Sequence, residues 1–350
     1  MTTTTNNKSD LDLPALTGKR TGPYCSFNPV SRVQIWQWCS AMGDRNPLYL
    51  DDDYRSRAGF DQVVAPPGMM QMWTMRNVNF EYAPGTTADS TYSVFDVLGE
   101  HGLPDIVAVS YDISFHRLLL EGDRAHHYTK VESITPLKQT ALGKGHFVTE
   151  HTEFLDQNDS LYADAMITYF VYRSEQATAD ASGADQPALT APVSEPLWKS
   201  DYSDISYQSL HEGQALPQLV IPITHKLIVS CALATQDFMD VHHNPPAAQD
   251  AAMPDIFMNI LTTNGLCARY LSDWAGPASR LKRISFKLMT PNVPGDTMTM
   301  QGQIVKLEQV DNESHVTIDF AGRNSRGFHV TGSATLLLMV NGAAPAYVAQ

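Results

Sequence analysis

Residues 113–123 read ISFHRLLLEGD and residues 284–296 read ISFKLMTPNVPGD. One pattern thus occurs twice in a chain of 350 residues: I-S-F, a short turn, then Gly-Asp. An internal repeat outranks other local signals, because it makes each half a unit built to the same plan. After Gly-Asp the first half runs into HHYTKVESI (126–134), GHFVTEHTEFLD (145–156) and LYADAMITYFVYR (161–173). The second runs into TMTMQGQIVKLEQV (297–310), HVTIDFAG (315–322) and FHVTGSATLLLMV (328–340). Val316, Ile318 and Phe320 alternate with Thr317 and Asp319, the period of a strand with one buried face. Each half therefore reads as one helix plus a run of antiparallel strands, an α+β unit.

The length suits two domains, which we expect at residues 1–175 and 201–350. Between them, residues 176–200 fall in a stretch rich in Ala, Ser, Asp and Pro that reads as a surface linker. The opening MTTTTNNKSD is polar and expected to fray. No apolar run reaches the ~20 residues of a membrane span and none resembles a signal peptide, so the cytoplasm is the expected location, with no membrane partner. The 38 acidic and 24 basic residues leave a formal charge of −14, which disfavours nucleic acid as a partner. Cys25, Cys39, Cys231 and Cys267 have no C-x-x-C spacing, pointing to reduced thiols rather than a zinc ribbon or a disulfide framework. Neither a metal nor a cofactor is expected.

Upstream of the second I-S-F lies Asp237-Phe238-Met239-Asp240-Val241-His242, and half a chain earlier Asp44-Arg45-Asn46-Pro47-Leu48-Tyr49. The second copy keeps a carboxylate and an imidazole five residues apart, a spacing that a tight turn can aim into one cleft. Water is a poor nucleophile, and two such groups within hydrogen-bond reach can activate it. The first copy has a phenol, which stays protonated at neutral pH and is no ready base. Its Asp44 is expected to hold the turn around Asn46 and Pro47 instead. Pro254 and Asp255 look like a helix start whose backbone N–H groups would stabilise an oxyanion, so Asp255, Ile256 and Asn259 are candidate substrate contacts. His243 is expected to orient or support His242, and His126 and His127 to be structural, one ring in and one out.

The D-x-x-x-[IVL]-H pattern resembles the hydratase-2 signature of MaoC-like enoyl-CoA hydratases. PVSRVQIWQWCSAMGDRNPLYLDDDYRSRAGFDQVVAPPGMM resembles the N-terminal hot-dog domain of MaoC-like dehydratases, with Tyr49 for the motif His and Pro67-Gly68 for the His-Gly at the helix head. ATQDFMDVHHNPPAAQ, PDIFMNILTTNGL, RYLSDWAGP and RLKRISFKLMTPNVPGDTM resemble the small catalytic subunit of bacterial steroid enoyl-CoA hydratases, which act on sterol or bile-acid side chains. The resemblance covers nearly all but the tail and linker. It departs in that D-x-N-P-I-H has become D-F-M-D-V-H.

The resemblance implies a double hot-dog fold, two long central helices each wrapped by a curved antiparallel sheet. It also implies that Asp237 and His242 act on the water, and that a CoA thioester is substrate rather than cofactor. A homodimer is expected by the same analogy, and a transient aldolase partner is admitted. Arg280, Lys282, Arg283 and Lys287 cluster at the second I-S-F. Arg280, Lys282 and Arg283 are candidate contacts to CoA phosphates, with a charged strand edge as the alternative. The long segment NVNFEYAPGTTADSTYSVFDVLGEHGLPD and the degraded first motif point to a first half turned into a binding wall. Trp73, Met70, Met72, Met75, Phe80 and Tyr82 would line it, or simply fill the core. The favoured activity is hydration of a steroid side-chain enoyl-CoA. The alternatives are a hydratase or dehydratase of another acyl-CoA, a hot-dog thioesterase, and a non-catalytic acyl-CoA-binding protein.

Overall fold

The structure, a computed structural model, describes residues 11–87, 93–174, 201–251, 253–311 and 313–338. The expected frayed N-terminus and the 176–200 linker lie outside the described residues. The strands of the first half are β1 (Arg20–Cys25), β2 (Asp105–Phe115), β3 (His126–Ile134), β4 (Lys138–Thr140), β5 (Gly143–Leu155) and β6 (Leu161–Ser174). Those of the second are β7 (Leu219–Pro222), β8 (Arg280–Leu288), β9 (Thr297–Val310), β10 (Glu313–Asn324) and β11 (Gly327–Leu338). The helices are α1 (Arg32–Met42), α2 (Pro47–Leu50), α3 (Asp52–Arg57), α4 (Ser93–Glu100), α5 (His225–Ala234), α6 (Pro245–Asp250) and α7 (Ile260–Ala275).

The eleven strands of the described residues form one sheet, in the order β1-β3-β5-β6-β2-β8-β11-β10-β9-β7, with β4 on β5. The order is palindromic about the β2–β8 pair, where the two I-S-F triplets meet with Ile113 opposite Ile284. Like segments pairing antiparallel across a two-fold axis are self-complementary, so the repeat that marks the duplication also joins its halves. Val316, Ile318 and Phe320 are buried as their alternation requires.

In the second half α7 packs against β8. Asn259 caps it by accepting from the Thr262 N–H at 2.7 Å, and it ends at Gly276 with φ 94°. Leu266, Cys267, Tyr270 and Leu271 are fully buried, as befits a helix enclosed on nearly every side. At Gly265 the chain of the first half comes so close that an added Cβ would lie 2.9 Å from the Trp38 and Met42 side chains. α1 and α5 pack on each other, each leading into one copy of the acidic motif.

The double hot-dog architecture is present, but the expected second long helix is not. After Pro66 the first half makes two single 3₁₀ turns, Pro67–Met69 and Met72–Thr74, and then leaves helical conformation at Met75. The physical cause lies at Asn77, whose side chain accepts from the N–H groups of Asn79 and Glu81 at 2.9 and 3.0 Å and so draws the backbone into a turn. Phe80, at φ 59°, completes the reversal. α4, from the long segment, packs Val94, Phe95 and Leu98 on Val148 and Val171 in a separate small core.

Candidate active site

α5 is capped by Thr224, which accepts from Leu227 N at 3.0 Å, and it ends at Thr235. Gln236 follows in the left-handed region at φ 55°, and Asp237 N–H bonds back to Ala232 O at 3.0 Å. A 3₁₀ turn over Asp240–His242 then brings the imidazole back towards the carboxylate. Asp237 Oδ2 and His242 Nε2 lie 3.5 Å apart, with His242 nearly buried. The spacing read in the sequence therefore places both groups together.

Their orientation is held by two groups the motif does not contain. His242 Nδ1 lies 2.7 Å from the Phe257 carbonyl, which can only accept, so Nδ1 carries a proton and, in the neutral ring, Nε2 is the nitrogen with the lone pair. Asn259 Nδ2 donates to Asp237 Oδ2 at 2.9 Å and to Thr235 Oγ1 at 3.0 Å. The capping residue of α7 thus also positions the acid, which places the first turn of that helix beside it. The Phe257 carbonyl has no sequence signal, since every residue carries one. Asn259 had one, as a capping residue ahead of an apolar run.

Three expectations are corrected here. The helix starts at Asn259 and not at Pro254–Asp255, because Asp255 is turned to its neighbours: Oδ1 accepts from Ile256 N at 2.7 Å and Oδ2 lies 2.8 Å from His225 Nε2. The Ile256 N–H is therefore already engaged. His243 does not orient His242; it is exposed and lies 3.7 Å from Asp240, and the backbone of Phe257 does the orienting. Arg283 is committed to Asp112 through bonds of 2.8 and 2.6 Å on the outer face, an exposed pair worth little to stability.

Arg280 and Lys282 do not join the acid and imidazole. They line a cavity of about 150 Å³ together with Tyr49, Pro66 and Pro67, on the side of the degraded motif. Arg280 also donates to Ser279 O at 2.8 Å. Trp73, by contrast, lines a cavity with Gln236 and Phe238, the two neighbours of Asp237. Of the other expected wall residues, Met70 and Met72 are buried in the main core, while Met75 and Tyr82 line a further cavity. His127 is half-buried, and desolvation holds its ring down to about 3, so it is neutral. His126 pairs with Asp159 at 3.1 Å.

In the first motif Asp44 is buried, Oδ1 accepting from Asn46 N at 2.9 Å, and Asn46 Oδ1 accepts from Leu48 N at 2.9 Å. Burial raises the Asp44 carboxyl, against the lowering pull of that N–H and of Arg269. It serves the turn. Asp44→Asn is therefore expected to leave turnover within about threefold of wild type while lowering stability by about 1 kcal/mol, the scale of one polar contact. Steady-state rates with a matched thermal melt check this, and a collapse of rate in a folded variant would make the first half chemically active.

Residues 15–165 match the dehydratase domain region of FAS1-like proteins, and residues 207–321 match the MaoC like domain. A β subunit of Mycobacterium tuberculosis, named 3-oxo-4,17-pregnadiene-20-carboxyl-CoA hydratase, is 42% identical over 124 residues, 35% of this chain and 93% of that protein. The chain belongs to the MaoC-like dehydratase family. A probable enoyl-CoA hydratase α subunit of Thermomonospora curvata is 39% identical over 152 residues, 43% of this chain. The match spans about half, 48%, of that relative's length. Among solved structures, a Mycobacterium tuberculosis protein described as having a double hot-dog fold superposes with a TM-score of 0.60 at 16% identity, covering 92% of this chain and 96% of that one. The double hot-dog architecture is thus shared even where little sequence is common.

Proposed function

We propose that this MaoC-like protein is a hydro-lyase that adds water to the α,β-double bond of an enoyl-CoA, with a steroid side chain as the acyl group. One observation carries the reaction: Asp237 Oδ2 and His242 Nε2 face each other at 3.5 Å as two acceptors. A water bridging the two from the cleft side donates one hydrogen bond to each and is left with its lone pairs turned outward, towards a β-carbon. Proton removal by the pair as the C–O bond forms makes that water a competent nucleophile. The thioester carbonyl becomes an enolate, which the N-terminal N–H groups of α7 next to Asn259 are placed to stabilise. The proton that completes addition at the α-carbon returns from the same pair.

The steroid reading is supported by the name of the β-subunit relative and by the missing helix of the first half, where Trp73 and Met75, at the edge of the main core, also line cavities. An oligomer is part of the proposal, since these relatives are named as subunits, and a homodimer is the form we expect. A cytoplasmic location is supported by four unpaired cysteines, three of them buried. Among the described residues no helix is long and apolar enough to cross a membrane.

The test is incubation with enoyl-CoAs read by mass spectrometry. Gain of one water without release of free thiol supports hydration; thiol release would replace it with thioester hydrolysis. A steroid enoyl-CoA is further expected to exceed crotonyl-CoA in kcat/KM by about tenfold or more, because binding energy from remote rings is used at the reacting end. Equal efficiency on the two removes the steroid assignment.

A further inference from the structure

Inward-facing positions of β5 alternate, with Val148 in the small core under α4 and Phe154 in the main core. Between them stands Glu150, only 5% exposed, and its Oε1 has no hydrogen-bond partner. A buried carboxyl oxygen left unpaired is costly, and native interiors seldom keep one without a use. Glu150 looks into a small cavity of about 40 Å³, room for the oxygen-bearing tip of a ligand. Its polar neighbours there are Gln71, Thr74, Thr129 and Thr152. Thr74 hydrogen-bonds the His127 ring at 2.8 Å, and the Tyr111 hydroxyl donates to Gln71. The lining is thus ordered before any ligand arrives.

The segment Trp73–Met75 links this cavity to the loop that carries Asp237. Trp73 faces the space beside Gln236 and Phe238, and the next residues, Thr74 and Met75, face Glu150's cavity. We propose, building on the hydratase reading, that Glu150 recognises a hydrogen-bonding oxygen, a ketone or hydroxyl, at the far end of the acyl group whose double bond sits at Asp237 and His242. The enzyme thereby selects an oxygenated polycyclic acyl chain over a plain hydrocarbon one. Glu150 is a specificity residue and takes no part in the proton transfers.

Protonation makes the assignment testable. Burial alone pushes the Glu150 carboxyl up to about 8, so at neutral pH it is a neutral O–H donor suited to a ketone. Above about 8 the donor is lost, because a carboxylate only accepts. The other titratable groups on the cavity wall are His127, neutral through this range, with Tyr111, Tyr82, Tyr169 and Arg76.

Two steroid acyl-CoAs that differ only in a distal-ring ketone are compared, as enoyl-CoAs for kcat/KM and as saturated analogues for binding by calorimetry. Wild type is expected to prefer the ketone by about tenfold, the scale of one hydrogen bond to a buried group, and to lose that preference as pH rises past about 8. Glu150→Leu is expected to bring the ratio within about twofold of unity. Glu150→Gln should keep part of it with no pH dependence. A preference that survives Glu150→Leu, or none in wild type, overturns the proposal. If Glu150→Leu fails to fold, the flat pH profile of Glu150→Gln decides. Binding needs no turnover, so a ketone preference in calorimetry without hydration of either substrate would sink the hydratase reading and leave the pocket assignment standing.

Discussion

Asp237→Asn and His242→Ala are each expected to lower kcat by about 10²-fold or more, the loss that follows removal of a general acid or base, with acyl-CoA binding retained. The geometry says why each change is severe. Asp237 Oδ2 already receives the Asn259 amide at 2.9 Å, so an Asn in its place either sets one NH₂ against another or turns its NH₂ to the Met239 N–H that Oδ1 now faces. In the second case the water keeps only a neutral amide oxygen, which is no base. Removing the His242 ring deletes Nε2 and leaves the Phe257 carbonyl without the donor it now has at 2.7 Å. Single-turnover rates on a steroid enoyl-CoA, with circular dichroism confirming the fold, check both. A folded variant with near-wild-type turnover would strip that residue of its role.

The largest stability effect is expected at Gly265, where Gly265→Val should cost about 3 kcal/mol and lower Tm by roughly 6 °C. A Cβ there would sit 2.9 Å from both the Met42 Cε and the Trp38 ring, and a Cβ on Gly68 would come within 3.2 Å of the Gly265 Cα itself. The crossing of α7 with the first half is thus as tight as two backbones allow, and only the absence of a side chain permits it. Val adds β-branched crowding to the overlap. Gly99, which has nothing within 4 Å of its Cβ position, is the control, and Gly99→Ala should leave Tm unchanged or slightly raised. A calorimetric scan of the two variants decides, and an unchanged Tm for Gly265→Val would mean that the halves do not meet as described.

Much of this was legible in order. The repeat, the strand run of each half and the pairing of Asp237 with His242 rest on short-range signals: a two-residue period, a fixed turn and a spacing of five. Burial of Val316, Ile318 and Phe320 follows from the same period. What local pattern mis-stated was the helix content. Pro254–Asp255 has a helix-start composition, yet the Asp255 carboxyl is engaged by His225 and Ile256, and the start moves to Asn259. Met69 to Thr74 has helix-forming composition, but Asn77 offers the backbone competing bonds just beyond it.

By itself, then, the sequence determined a duplicated α+β chain with one intact acid–imidazole motif and one degraded copy, because periodicity and spacing act over a few residues. Tertiary structure alone decided the rest. It set Ile113 against Ile284 at the centre of one sheet, turned the Phe257 carbonyl to His242, and sent Arg280 and Lys282 to the cavity of the degraded motif. It also left Glu150 unpaired between two cores. Each of these depends on which distant surfaces meet, and contacts between residues far apart in the chain leave no mark in the local pattern of either partner.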